Sequence, residues 1–296
     1  LAMAGDDKVL LAGLHDAGIW KSARSWRWGI APPGGLSARG FAQLITLGEK
    51  LYALGPQEGL WVSKSKGKDW SNLSYLSSYL PLTAFSATPE GTLFVTSQEH
   101  GVLRSTDQGE SWDIVCAAQG IQAIALTPSD HKGWAGTMDG KLFSTRDDGV
   151  TWEGVDSPCE GQEILSLAPS TTYAHDQTLL MGTSTGPTRS EGRVALWRSS
   201  NEGTSWQQLT TQVTSARWID IEMPIGVTEK AAEQAILATG PYCLRPLRRA
   251  KDVWISSQVD PAGANTLSVV SLGEIDNEGL IFAATGAGLY RSIDGG

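Results

Sequence analysis

The sequence predicts an all-β chain: a single seven-bladed β-propeller of four-stranded antiparallel blades, the last blade incomplete, filling residues 1–296 as one domain. Three observations predict it. An eight-residue box, Ser/Thr-x-Asp-x-Gly-x-x-Trp, returns along the chain, and an apolar run ending in Ser or Thr leads into each copy. Successive box tryptophans, at 70, 112, 152, 206 and 254, lie at or somewhat above the roughly 40–45 residues of a four-stranded blade.

Each element of the unit has its own signal. First strands are short apolar runs such as Ala123-Ile124-Ala125-Leu126 and Ile164-Leu165-Ser166-Leu167-Ala168. Second strands alternate, as in Thr92-Leu93-Phe94-Val95-Thr96 and Leu280-Ile281-Phe282-Ala283-Ala284. Third strands share one motif: Gly18-Ile19-Trp20-Lys21-Ser22, Gly59-Leu60-Trp61-Val62-Ser63, Gly101-Val102-Leu103-Arg104-Ser105 and Gly288-Leu289-Tyr290-Arg291-Ser292, with Ala195-Leu196-Trp197-Arg198-Ser199 lacking the glycine. Runs this short, bounded by Gly, Pro, Asn and Asp, read as strands. The box then turns the chain into a fourth strand.

The cleanest box is Ser105, Asp107, Gly109, Trp112; Thr145, Asp147, Gly149, Trp152 repeats it, and Ser199, Asn201, Gly203, Trp206 replaces the acid. Ser63 to Trp70 has Ser65 at the acid position, and Ser292, Asp294 and Gly296 open a last copy. Asp and Ser side chains hold tight turns through local backbone bonds, glycine supplies a positive φ, and the tryptophan covers the hairpin with a large apolar body. These twelve residues therefore read as structural. Cation loops need several converging oxygens; one acid per box supplies too few, and neither a metal nor another cofactor is expected.

This pattern, following an apolar-Arg-Ser strand over essentially the whole chain, resembles the Asp-box (bacterial neuraminidase) repeat. Propellers of that family include sialidases, xyloglucanases, sortilin-type receptors and the photosystem II assembly factor. The resemblance implies a propeller with its boxes on the rim, away from the family's active sites. It leaves the ligand open.

One unit departs from the repeat. Aligned on Ala284 to Ser292, the stretch Ala238 to Pro246 puts Pro246, Arg248 and Ala250 where Ser, Asp and Gly belong. Arg245, Arg248, Arg249 and Lys251 then form a basic cluster in a chain of net charge −9. Either one blade has drifted, or it is reshaped for an anionic partner.

The acidic balance argues against nucleic acid as the main partner, and no apolar stretch approaches the roughly 18 residues that span a bilayer. The three cysteines, Cys116, Cys159 and Cys243, have no metal-type spacing and an odd count. Unpaired thiols lean towards a reducing, cytoplasmic compartment without excluding an extracytoplasmic one. Leu1 is not an initiator Met and Gly296 falls inside a box, so the sequence reads as a piece whose last blade lacks its outer strand.

Propeller ligands usually gather near the channel, on the face of the hairpins joining second and third strands. Those hairpins carry His15 and Asp16, Glu58, Glu99 and His100, and Asp139: an acid precedes the closing glycine in four consecutive units. On a first strand, Trp218, Asp220 and Glu222 share one face by the period of two. The fifth unit has the longest hairpin, with Arg189 and Arg193, and Tyr242 occupies the matching hairpin of the sixth. A sialidase-type site needs clustered arginines and an Arg-Ile-Pro segment, which is absent; Arg104, Arg198 and Arg291 recur with the repeat and so read as structural. A glycoside hydrolase would need two carboxyl groups across a cleft, for which Asp220 and Glu222 are the best pair. The favoured reading is a non-catalytic scaffold for a protein or peptide. The alternative is a carbohydrate-binding or glycoside-hydrolysing propeller.

Overall fold

The computed structural model describes residues 2–4, 9–14, 18–22, 28–30, 40–127, 130–185, 193–209, 219–223, 235–246, 254–272 and 280–293. They fall in two compact units, Leu1–Ile121 and Gln122–Gly296.

The first unit holds three antiparallel sheets. These are β1 to β4 (Ala2–Ala4, Val9–Leu14, Gly18–Ser22, Trp28–Ile30), β5 to β8 (Gln43–Leu47, Lys50–Gly55, Gly59–Ser63, Ser71–Asn72) and β9 to β12 (Leu82–Ala87, Leu93–Ser97, Gly101–Ser105, Asp113–Cys116). The second unit holds β13 to β16 (Ile121–Leu126, Gly133–Thr137, Leu142–Thr145, Glu153–Val155), β17 to β20 (Glu163–Pro169, Leu179–Thr185, Arg193–Ser199, Gln207–Leu209), β21 to β24 (Ile219–Glu222, Ile236–Thr239, Tyr242–Pro246, Trp254–Gln258) and β25 to β27 (Thr266–Leu272, Leu280–Thr285, Gly288–Ser292). In every sheet each strand pairs with its neighbour in sequence.

The expected blade count is corrected. Among the described residues the four-stranded blades number six, not seven, and the last sheet has three strands. A fourth strand forms where a box turn carries the chain back along the third strand. After β27 that box falls at 294–296, outside the described residues, and no strand pairs with the outer edge of β27 among those described.

Alternation explains the packing. In the first unit one face of β6 and β7 (Tyr52, Leu54, Leu60, Val62) meets Leu82, Phe85, Leu93, Val95 and Leu103 of the next sheet. In the second, Leu180, Val194 and Leu196 meet Ile219, Ile221, Leu237, Leu244 and Trp254. Each fully buried aliphatic side chain contributes about 1.5–3 kcal/mol, so successive sheets are held mainly by these layers.

The fit between sheets is close at two glycines. A Cβ on Gly136 of β14 would stand 2.3 Å from Cγ2 of Ile164 on β17, and one on Gly182 of β18 would stand 2.7 Å from Cγ2 of Ile219 on β21. Both isoleucines are fully buried, so neither has room to retreat. Gly136→Ala should therefore cost about 1–3 kcal/mol through overpacking, read as a lower urea midpoint. A neutral result would show that the two sheets can slide apart.

Candidate binding site along the first strands

The box turns use their polar groups internally. Ser105 Oγ donates to Asp107 Oδ1 at 2.8 Å and accepts the Gly109 N–H at 2.8 Å. Asp107 also accepts the Ser111 N–H at 2.9 Å and the Ser111 hydroxyl at 2.5 Å, while Trp112 Nε1 donates to the Gly109 carbonyl at 3.2 Å. Thr145, Asp147, Gly149, Thr151 and Trp152 repeat all five contacts. Asn201 and Ser65 stand in for the acid, accepting the N–H of Ser205 and Asp69 through their side-chain oxygens. Gln108 and Gly109 take φ of 65° and 92°; this left-handed pair is why a glycine is needed there. The Ser111 hydroxyl, then the Ser111 N–H and the Ser105 hydroxyl, hold the Asp107 carboxyl down at about 2.

The hairpin acids are placed one by one. Thr137 Oγ1 donates to Asp139 Oδ1 at 2.6 Å, and Lys141 pairs with Oδ2 at 2.7 Å, lowering the Asp139 pKa. Glu58 is half-buried, and its carbonyl accepts Trp61 Nε1 and Asn72 Nδ2. Glu99 is exposed; His100 lies 3.3 Å from Ser97 Oγ, edge-on to the Tyr79 ring. Asp139 is thus anchored within its own hairpin. His15 and Asp16 lie outside the described residues.

In the sixth unit, Arg245 sits on β23 opposite Ile255, half-buried, and Tyr242 starts that strand packed against the β21 to β24 core. Arg193 opens β19, exposed. Arg189, Arg248, Arg249, Lys251 and Trp218 lie outside the described residues. All three cysteines are buried free thiols.

The informative geometry lies on the first strands. Their outward backbone edges are joined from sheet to sheet by single side chains. Gln43 of β5 brackets Phe85 of β9, its Oε1 accepting the N–H and its Nε2 donating to the carbonyl, both at 2.9 Å. Within the first unit Thr83 of β9 also donates to the carbonyl of Ile121, that unit's last residue, at 2.7 Å. Ser166 of β17 accepts the Ile221 N–H of β21 at 3.1 Å. Asp220 of β21 accepts from the Ser268 hydroxyl and the Val269 N–H of β25.

Asp220 and Glu222 do share one face of β21, opposite Ala238 and Ile236, about 6.7 Å apart along the strand. Ile219 and Ile221 fill the other face. Burial raises the Asp220 pKa despite the hydrogen bonds it accepts. Burial, then the neighbouring Asp220 charge, pushes Glu222 up to about 8. Asp220 is committed to the stitch. Sequence reasoning missed Gln43, Thr83, Ser166 and Ser268. Their signal was a polar residue inside an otherwise apolar first strand.

Among the described residues no group of three or more His, Cys, Asp or Glu could hold a metal ion, and no helix is long and apolar enough to cross a membrane.

The family model described as the DUF6242 beta propeller domain matches residues 16–242. Comparison with curated proteins gives no match. Among solved structures, virginiamycin B lyase from Staphylococcus aureus is similar at TM-score 0.68 and 14% identity, over 98% of this chain and 92% of that one. The GH74 xyloglucanase from Xanthomonas campestris is similar at 0.62 and 16% identity, over 96% of this chain and 50% of that one. YCF48 from Cyanidioschyzon merolae is similar at 0.55 and 16% identity, over 83% and 78%; a further structure is of YCF48 bound to D1 peptide, at 0.59 and 15%, over 83% and 75%. At these identities the likeness shows the fold alone. It supports a β-propeller family, and not the neuraminidase repeat in particular.

Three outcomes follow from the turn and the strand. Ser105→Ala strands a buried Gly109 N–H and should cost about 1–3 kcal/mol, whereas Ser111→Ala, at an exposed hydroxyl, should cost less in the same denaturant titration. Asp107 titrates lower folded than unfolded, so its stabilisation is present above about pH 4 and lost as pH falls towards 2. Asp107→Ala should lower Tm at neutral pH, and the deficit should close on acidification. Glu222 runs the other way. Between its ordinary 4.5 and about 8 the folded state holds more protons than the unfolded one, so stability falls as pH rises. Glu222→Gln should flatten that slope and raise Tm at pH 8–9; a lower Tm there would show that the carboxylate is already paired.

Proposed function

This chain belongs to the DUF6242 β-propeller domain family, and we propose that it is a single propeller domain acting as a non-catalytic scaffold for a protein or peptide partner, bound along its first strands. The observation behind the reading is the carboxylate pair on one face of β21: Asp220 is bonded to the Ser268 hydroxyl and the Val269 N–H, and the half-buried Glu222 stands beside it, its pKa raised by burial and by the Asp220 charge. The box turns, by contrast, already use their carboxylates and hydroxyls. The peptide-bound YCF48 structure supports the reading as a precedent on a similar fold. The basic segment of Arg245, Arg248, Arg249 and Lys251 is the second candidate contact, for an acidic stretch of the same partner.

The hydrolase reading draws on the same carboxylates and on the likeness to a xyloglucanase. It is the weaker of the two. Glycoside hydrolysis sets two carboxyl groups on either side of the scissile bond, whereas Asp220 and Glu222 stand side by side on one strand face. Asp220 is also bonded to the Ser268 hydroxyl and the Val269 N–H.

The test pairs panning of phage-displayed random 12-mer peptides on the immobilised chain with a reducing-sugar assay on xyloglucan. Enriched peptides that compete for one site, without sugar release, are expected. Sugar release abolished by Glu222→Gln, with no peptide enriched, would replace the scaffold by the hydrolase.

A further inference from the structure

Three first strands carry an extra residue at the same place. In β9 the ladder to β10 pairs Leu82 with Ser97 and Ala84 with Thr96, so Thr83 is left over. In β17 the ladder to β18 pairs Ile164 with Thr183 and Ser166 with Gly182, leaving Leu165. In β25 the ladder to β26 pairs Thr266 with Thr285 and Ser268 with Ala284, leaving Leu267. The strand stitched to both of these, β21, pairs Ile219 with Thr239 and Asp220 with Ala238 without a break. A bulge bends its strand and re-aims a side chain, and bulges are common next to active sites.

The bulged residue acts differently in the two units. Within the first, Thr83 commits its hydroxyl to the Ile121 carbonyl and the Thr96 hydroxyl, each at 2.7 Å. Within the second the position is leucine twice, and a leucine side chain offers no such bond. Leu267 is 49% exposed and Leu165 half-buried, while Ile164, Ser166 and Thr266 beside them are buried. Both leucines lie where a hairpin joining second and third strands meets the incoming first strand. The Gly161 N–H, two residues before Glu163 opens β17, donates to the Asp139 carbonyl of the β14–β15 hairpin at 2.8 Å. Met138 of that hairpin is 41% exposed. The Thr266 N–H donates to the Gly240 carbonyl of the β22–β23 hairpin, next to which half-buried Tyr242 packs against the same apolar cluster as Leu165.

One exposed leucine on a surface is ordinary. Apolar side chains gathered at the same end of successive sheets mark an interaction site, since covering them removes apolar surface from water. The charge beside them indicates what flanks the cover. Glu163 is half-buried two residues before Leu165, and Glu160 is exposed just ahead of it. Among the described residues of these hairpins and entries, Asp139, Glu160 and Glu163 outnumber Lys141, which is paired with Asp139, and Arg193.

We propose that Leu165 and Leu267, with Met138, form the contact surface for apolar side chains of the bound peptide, and that Glu163 takes a lysine or arginine next to them. This rests on the scaffold reading and names the chemistry of that same site. A segment that touches both leucines crosses the entry to β21 rather than following one strand.

The test pans the same 12-mer library in parallel on the wild type, Leu165→Thr, Leu267→Ser, Glu163→Gln and, as a control on a box turn, Val150→Ser. Leu165→Thr installs the residue that β9 carries at its bulge, and Leu267 and Val150 are both about half exposed. Melting curves check folding; where Leu165→Thr lowers Tm, Leu267→Ser decides. Peptides enriched on the wild type should share an apolar residue beside a lysine or arginine. Each leucine variant should weaken their binding about tenfold. Glu163→Gln should weaken it less and flatten its salt dependence, and Val150→Ser should leave it unchanged. Peptides bound equally by both leucine variants would overturn the surface and leave the scaffold standing. No enrichment on any protein would overturn both. Sedimentation of the wild type tests another occupant: a dimer that Leu267→Ser dissociates would make this face a contact between copies of the chain and overturn the peptide surface.

Discussion

A sheet whose first strand has no partner on its outer side leaves a row of backbone N–H and C=O groups to be satisfied elsewhere. Every described sheet here has that edge, and within each unit side chains from neighbouring first strands answer part of it. Within the first unit Gln43, and within the second Ser166 and Asp220, each reach from one first strand to the backbone of the next. The apolar layers bring sheets together without direction. The stitches fix how far along each other the first strands lie, and so decide which side chains become neighbours.

The box turn performs the matching task after the third strand. Its constant part is geometric rather than acidic. In four copies a buried Ser or Thr hydroxyl accepts the glycine N–H, at 2.8 to 3.0 Å. The third residue accepts the N–H four places on, whether it is Asp, Asn or Ser. An aspartate strengthens the turn by taking a second bond from Ser111 or Thr151. Charge is therefore an addition to a turn that neutral side chains also close.

Strands and boxes were legible because their causes are local: a period of two, a glycine at positive φ, a hydroxyl two residues from an acid. The pairing of Asp220 and Glu222 on one face was legible for the same reason. The bond that commits Asp220 was not, since its partner Ser268 lies on a strand some 48 residues later. The expected seventh blade rested on a third strand and the start of a box, and among the described residues only three strands form there, which leaves six four-stranded blades. A strand exists only where a partner ladder forms. The recurrence of acids before the hairpin glycine was also real in sequence, yet Asp139 is anchored by Thr137 and Lys141 of its own turn. Repetition in a solvated turn is weak evidence for convergence.

The ladders join only strands that follow one another in the chain, and this bears on how the molecule is made. Contacts between near neighbours close small loops at low entropic cost and form early. Each sheet can zip as soon as roughly 40–45 residues have left the ribosome, without waiting for the rest. Within each unit, a finished sheet can then offer its apolar face to the next. A sheet that emerges carrying a blocked glycine, such as Gly136 or Gly182, would stall at docking with its hairpins already formed. The vulnerable species is then a half-assembled chain with an open apolar face, the form that chaperones bind and that aggregates.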